Sequence, residues 1–287
     1  MAVKSFTIDL IPKDQVYTTG DSITGEVNLI LNSQIKLKCL LVCFSGKGKV
    51  ECAKGKSVYI GKEEYYTDVI MLLDEVQVRN MSCVLRPGNY SFPFSFHIPV
   101  DADLPGSHSG KRGYIRYTIE AQMKKPNQIV DDTTAITVPV IDFVVVEERL
   151  LTTQRQQLTT SVGLACYISG SMSITAKIDR AGYYIGDEVL ASLYIDNRTG
   201  RDVTEVEMYL RQLTTYSYRT KRPERQEKEK RLSYARTAGV ARGRDANIEG
   251  LNLKIPEVKP TSLGGIIKTT YSIEVINHSK HWPNNQS

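Results

Sequence analysis

The sequence predicts an all-β protein made of two tandem immunoglobulin-like antiparallel β-sandwich domains. Three observations carry that expectation. Apolar residues recur at every second position, which lines one face of a pleated strand, and no long 3.6-residue period competes. Turn-forming clusters, TTGDS, LNSQ, RPGN, PVDADLPGS and KKPNQ, separate the alternating runs. The chain also says the same thing twice: YTTGDSITGEV at 17–27 returns as YYIGDEVLASL at 183–193, with Gly20 and Gly186 166 residues apart.

In chain order, the first alternating set is Phe6, Ile8 and Leu10, followed by Val27, Leu29 and Leu31. Ile35, Leu37, Cys39 and Leu41 come next, then Phe92, Phe94, Phe96 and Ile98, then Ile115, Tyr117, Ile119 and Ala121. Sixteen tyrosines and many Val, Ile and Thr residues suit such strands. The repeat extends outward from the Gly-Asp pair. SFTI at 5–8 lies over SMSI at 171–174, PFSFHIP at 93–99 over GLNLKIP at 250–256, and YTIEA at 117–121 over YSIEV at 271–275. Offsets of 166, 157 and 154 drift as loop lengths would make them, and the period is domain-sized, far above the ~20–50 residues of a solenoid.

These limits divide the chain into a first sandwich at 1–147, a polar linker at 148–161, a second sandwich at 162–277 and an irregular tail at 278–287. The linker, within EERLLTTQRQQLTTS, shows no strand pattern. The first copy closes with a strand at about 134–143, and the 154-residue offset puts its counterpart at about 288–297. The second copy is therefore expected to lack its closing strand and to leave a sheet edge unpaired. A shortened isoform or an incomplete gene product would account for that.

A chain of 287 residues, 41% apolar and 24% charged, is long enough for two ordinary cores. It contains no apolar run of the ~20 residues that a membrane helix needs, and MAVKSFTIDLIPKDQ is not a signal peptide, so a cytoplasmic protein is expected. The five cysteines, at 39, 43, 52, 83 and 166, form no C-x-x-C pair, and Cys39 and Cys43 read as small core residues. Asn80, Asn89, Asn197 and Asn277 begin N-x-[ST] triplets that are expected to be silent. A net charge of +5 would suit an anionic membrane surface or a phosphorylated partner, and it falls short of a nucleic-acid footprint.

No catalytic constellation assembles, and no cofactor or metal is expected. His97, His108, His278 and His281 lack metal-ligand spacing, and no nucleophile elbow is present. Asp101 and Asp103 read as turn chemistry. GKGKVECAKGKS at 46–57 ends like a phosphate-binding loop, yet Val50 stands where the first glycine of that motif belongs. Two basic loops remain as candidate anionic-partner sites: Lys47, Lys49, Lys54 and Lys56 in a glycine-lysine hairpin loop, and Arg222, Arg225, Lys228 and Lys230 in RTKRPERQEKEKR at 219–231. Solvated charge runs with no partner are the competing reading of each.

IDRAGYYIGDEV at 178–189 and VKPTSLGGIIKTTYSIEV at 258–275 resemble the second domain of arrestins. RPGNYSFPFSFHIPVDADLPGS at 86–107 and GKRGYIRYTIEAQM at 110–123 resemble the first-domain core of the alpha-arrestins, the branch of the arrestin domain-containing proteins, related to thioredoxin-interacting protein. The resemblance covers residues 3 to about 277. It implies a trafficking adaptor without catalytic activity that engages cytoplasmic regions of membrane receptors or transporters. In that group Pro-Pro-x-Tyr motifs recruit WW-domain ubiquitin ligases, and cargo is then ubiquitinated, endocytosed and sorted to endosomes.

Three departures limit the transfer. None of the eleven prolines adjoins another, so this sequence has no Pro-Pro-x-Tyr motif. The first strand, FTIDLIP, has no lysine pair like the one that senses phosphate in receptor-binding arrestins. The second half has no cysteine after Cys166 to support the thioredoxin binding of one relative. A retromer-type coat subunit, a shortened competitor that binds cargo without a ligase, and an enzyme on a β-sandwich stay open as alternatives at this point.

Overall fold

The computed structural model describes residues 2–74, 83–126, 130–142, 148–164, 167–219 and 223–278. The chain groups into two compact units. The first holds Met1–Phe143 with Thr215–Glu227 and Ser262–Lys268, and the second holds Val144–Thr214, Lys228–Thr261 and Thr269–Ser287. Two short segments of the second repeat thus belong to the first unit, and the units are not simply consecutive blocks of chain. Among the described residues no helix is long and apolar enough to cross a membrane.

The strands up to residue 138 are β1 (Val3–Leu10), β2 (Ser22–Leu31), β3 (Ile35–Leu37), β4 (Cys39–Lys54), β5 (Ser57–Asp74), β6 (Cys83–Leu85), β7 (Gly88–His97), β8 (His108–Gly110), β9 (Gly113–Lys124) and β10 (Asp132–Val138). They form a sheet in the order β1-β2-β7, a second in the order β10-β9-β4-β5 with β8 on β9, and the small pair β3-β6. The first two sheets bury one face each, so Ile23 and Val27 of β2 meet Phe44 of β4 and Tyr117 and Ile119 of β9 in one core. Phe96 and Phe44 lie at its centre, with ring centroids 5.8 Å apart. Alternation in sequence becomes alternation in burial: β2 runs exposed, buried, half-buried, buried to its end.

The later strands are β11 (Gln154–Leu164), β12 (Tyr167–Ile178), β13 (Glu188–Asn197), β14 (Glu205–Arg219), β15 (Pro223–Ala238), β16 (Arg244–Lys254) and β17 (Ile267–His278). Their sheets run β11-β12-β13-β16 and β15-β14-β17. Val189, Leu193 and Ile195 of β13 pack with Val206, Met208 and Leu210 of β14 and with Leu251 and Leu253 of β16. The expected duplication is present in six strand pairs: β12, β13 and β16 repeat β1, β2 and β7, while β14, β15 and β17 repeat β4, β5 and β9.

The turn that opens each copy repeats down to its hydrogen bonds. Gly20 and Gly186 have φ of +89° and +90°, where a side chain would be strained. Thr18 N donates to Asp21 Oδ2 at 2.8 Å, and Tyr184 N donates to Asp187 Oδ2 at 3.0 Å. Gly20 N then donates to Ile98 O at 2.9 Å, as Gly186 N does to Ile255 O at 3.0 Å. The Gly-Asp pair thus fastens the start of one strand to the Ile-Pro end of another in both copies, which is why these two motifs travel together in the sequence.

Four sequence readings need correction. Cys39 and Cys43, read as core residues, are half-buried on the outer face of β4, because Leu40, Val42 and Phe44 take the inward positions. The stretch expected to be a linker, 148–161, holds a 3-10 turn at Glu148–Leu151 and most of β11, which pairs along β12. Residues 154–157 are all exposed at the outer edge of their sheet, so nothing there forces an apolar alternation. His278, placed in the tail, is the last residue of β17. Both basic loops belong to long hairpins instead: Lys47, Lys49 and Lys54 lie in β4, with only Gly55 and Lys56 forming the turn, and Arg225, Lys228 and Lys230 lie in β15. β9 carries β10 on one side, whereas among the described residues β17 pairs with β14 alone.

Candidate functional site

GKGK reads as a loop by composition, but in β4 it obeys the period of two. Gly46 and Gly48 point inward and are buried, while Lys47 and Lys49 point outward. The glycines are required by the aromatic rings laid across them. A Cβ on Gly46 would fall 2.3 Å from Cε1 of Tyr117, and one on Gly48 would fall 2.6 Å from the hydroxyl of Tyr65. Both tyrosines are anchored, since Tyr117 Oη donates to Pro105 O at 2.7 Å and Tyr65 Oη accepts from Ile266 N at 3.1 Å. Burial pushes both phenols well above the usual tyrosine range, so they remain neutral donors or acceptors.

On the outer face the register sets Lys47 opposite Arg116 of β9 on one side and Glu64 of β5 on the other. The next row sets Lys49 between Tyr114 and Lys62. Directly opposed side chains have Cβ atoms about 4.5–5.5 Å apart, so two like-charged pairs sit side by side. The Arg116 guanidinium lies 4.7 Å from the Tyr114 ring centroid, which orients it along the sheet. Lys49 Nζ is 2.6 Å from Glu51 Oε1, and that hydrogen bond holds its ammonium above the ordinary lysine range. Four cations thus occupy two rows with the carboxylate of Glu64, and Glu51 reaches Lys49 from the row beyond.

The same face changes character along the strands. Beyond the cations comes a hydroxyl row, Thr118, Ser45 and Thr67, with Ser45 Oγ 3.2 Å from Thr118 Oγ1. Further on, Cys43 pairs with Val69 and Leu41 with Met71, and Val69 and Met71 are 48% and 42% exposed. On β9 the same two rows carry Glu120 and Gln122, opposite Cys43 and Leu41, so the apolar end is confined to β4 and β5. Along those two strands cations, then hydroxyls, then half-exposed apolar groups suit an extended segment with an acidic end and an apolar end.

The remaining predicted residues do not join this face. Lys54 is five residues from Lys49, about 17 Å along the strand. Its ammonium pairs with Glu224 Oε2 at 2.9 Å, within the first unit, and Glu224 also accepts from Tyr218 Oη at 3.1 Å. Those bonds, the one from Lys54 first, hold the Glu224 carboxyl below its usual range. Lys54 is thus committed to an internal tether. Lys56 lies exposed in the turn, Arg225 pairs with Glu227 at 3.6 Å, and Lys228 and Lys230 are exposed on β15. Arg222 lies outside the described residues. Sequence reasoning missed Arg116 and Lys62. Arg116, between buried Ile115 and Tyr117, was legible from alternation, but the pairing that sets it beside Lys47 was not.

Two family profiles match in tandem: "Arrestin (or S-antigen), N-terminal domain" over residues 6–144 and "Arrestin (or S-antigen), C-terminal domain" over residues 168–287. Thioredoxin-interacting protein of Homo sapiens is 26% identical over 276 residues, covering 94% of this chain and 69% of that protein. Arrestin domain-containing protein 4 is 28% identical over 274 residues in both Homo sapiens and Mus musculus, covering 91% of this chain and 64% of that protein.

Proposed function

The chain belongs to the arrestin family, with relatives in its alpha branch, and on that premise we propose that it is a non-enzymatic cytoplasmic adaptor for membrane cargo. In this reading the outer face of β4, β5 and β9 docks an acidic stretch from the cytoplasmic part of a receptor or transporter. Docking recruits the protein to the plasma membrane or endosomes and marks cargo for endocytosis, sorting and ubiquitin-ligase-linked down-regulation. The observation that carries the proposal is the pair of opposed cation rows, Lys47 with Arg116 and Lys49 with Lys62. Such juxtaposition costs stability in the free protein and is relieved by an anionic partner. A ligase would have to be reached without a Pro-Pro-x-Tyr motif in this sequence.

The test is fluorescence anisotropy of the full chain with a labelled peptide carrying three Asp or Glu residues followed by two apolar residues. The double variant Lys47→Glu with Lys49→Glu is expected to weaken binding about 10- to 100-fold, since each reversed surface charge is worth roughly 1 kcal/mol. Lys54→Ala, on the tether, is expected to bind as the unaltered chain does. Equal binding by the double variant would remove this face from the function. Co-purification from cells with retromer subunits and no receptor or transporter would favour a coat role instead.

A further inference from the structure

Three metal-ligating side chains converge in the second unit, at the end of the sheet β15-β14-β17. Glu205 and Glu207 are two residues apart on β14 and so share one face, and His278 closes β17 next to them. One ligand atom from each lies within 4.8 Å of the other two. The histidine is held in place through its backbone, because Thr204 N and Thr204 Oγ1 both donate to His278 O, at 2.7 and 2.9 Å.

The electrostatics of the cluster decide what it would accept. The Glu207 side chain is only 7% exposed, and a carboxylate so buried needs a cation beside it. Arg236 supplies one, with Nε 2.8 Å from Glu207 and 3.6 Å from Glu205, and Arg231 reaches Glu207 at 3.5 Å. Both arginine side chains are more than half exposed, at 53% and 56%. Their guanidinium groups lie over the rings of Tyr234 and Tyr209, at 4.9 and 4.3 Å, and can turn away from Glu207 when another cation takes their place beside its buried carboxylate.

We propose that Glu205, Glu207 and His278 form a site for a divalent first-row transition ion of the zinc type, for which Arg236 competes at the same carboxylates. Two carboxylates neutralise one such ion. An imidazole with two carboxylate oxygens suits zinc, whereas calcium and magnesium favour oxygen ligands alone. Bonds of about 2.1 Å would bring the three donors to roughly 3.4 Å from one another, a closing movement within reach of side-chain rotation. The ion fastens the end of the edge strand β17 to β14 and leaves a fourth position open.

The experiment is calorimetric titration of the chelator-stripped full chain with zinc chloride at pH 7.5, with amide hydrogen exchange read in parallel. One equivalent is expected to bind and to slow exchange at the end of β17. His278→Gln is expected to weaken that binding about tenfold or more, and Arg236→Gln to tighten it several-fold by removing the competitor. Circular dichroism establishes that each variant is folded. Should Arg236→Gln unfold, His278→Gln alone decides, since its side chain supports no described core contact. Failure of the unaltered chain to bind zinc overturns the site. So does full binding by His278→Gln, which places the ion on other groups such as the cysteines, or a folded Arg236→Gln that binds no tighter.

Discussion

Gly46→Ala is a small change that should be among the most damaging in the first unit. The added methyl would lie 2.3 Å from Cε1 and 2.6 Å from Cδ1 of Tyr117, where carbon atoms rest at about 3.5–4.0 Å. The ring would have to retreat by more than about 1 Å. It has nowhere to go: Tyr117 is fully buried, with Phe44 stacked at 6.2 Å and its hydroxyl bonded to Pro105 O. Overpacking of this kind costs about 1–3 kcal/mol, and breaking the hydroxyl bond leaves two buried polar groups at a further ~1–3 kcal/mol. A central expectation is about 4 kcal/mol, a large share of the ~5–15 kcal/mol that holds a domain together.

The assay is guanidinium unfolding followed by circular dichroism, with hydrogen exchange of β4 and β9 amides to localise the loss, because two units need not unfold in one step. Gly55→Ala is the internal reference. Gly55 has φ of +62° with no atom near its would-be Cβ, so only the left-handed backbone penalises a side chain there, by about 1 kcal/mol. A Gly46→Ala variant no less stable than Gly55→Ala would refute the claim that the glycines of GKGK exist to admit aromatic rings.

Gly20→Ala and Gly186→Ala should cost the same, roughly 1 kcal/mol each, since their φ angles agree within a degree and neither meets a close contact. Unequal melting shifts would show that the two turns are not energetic equivalents. Asp142→Asn should raise the melting temperature at pH 7. Burial pushes the Asp142 carboxyl upward, the hydrogen bond from Ser262 opposes this, and the Asp103 charge adds to it. A carboxyl raised in the folded state favours folding while protonated and loses that contribution as pH rises through its folded value. The gain from Asp142→Asn should therefore shrink as pH falls through the carboxylate range, and a pH-independent gain would contradict the cause given.

The fold was legible because one physical rule, burial of every second side chain, was obeyed twice. Ile23, Val27 and Leu29 and their counterparts Val189, Leu193 and Ile195 needed no structure to be placed in cores. Where burial imposes no pattern, the sequence was silent: β11 begins at a sheet edge with four exposed residues, 154–157, and reads as a polar linker. The site was half legible. Lys47 and Lys49 stood out as charges, but glycine content disguised their strand as a loop. Their partners Arg116 and Lys62 are fixed by register, a long-range property that no local window contains. His278 shows the same limit, since its neighbours Glu205 and Glu207 are more than seventy residues away in the chain.

The two copies share a scaffold and differ in how their outer faces handle charge. In the second copy, opposite charges meet: Arg211 pairs with Glu274 at 2.7 Å and also with Glu229, Tyr209 Oη donates to Glu274, and Arg236 pairs with Glu207. In the first copy, register sets Lys47 against Arg116 and Lys49 against Lys62 in two consecutive rows, and the carboxylates of Glu64 and Glu51 offset only part of that charge. Compensated charges stabilise a sheet, whereas opposed like charges cost it something like 0.2–1 kcal/mol per pair. Lys49 and the facing Lys62 share the one carboxylate of Glu51, which Lys49 holds at 2.6 Å, so this row keeps an excess of positive charge. Lys47→Glu with Lys49→Glu places carboxylates opposite Arg116 and Lys62 as well as opposite Glu64, so gains and losses in the free protein nearly cancel. Loss of peptide binding at unchanged unfolding midpoint is therefore what a docking face requires, and a parallel fall in stability would mean that the lysines serve the sheet and not a partner.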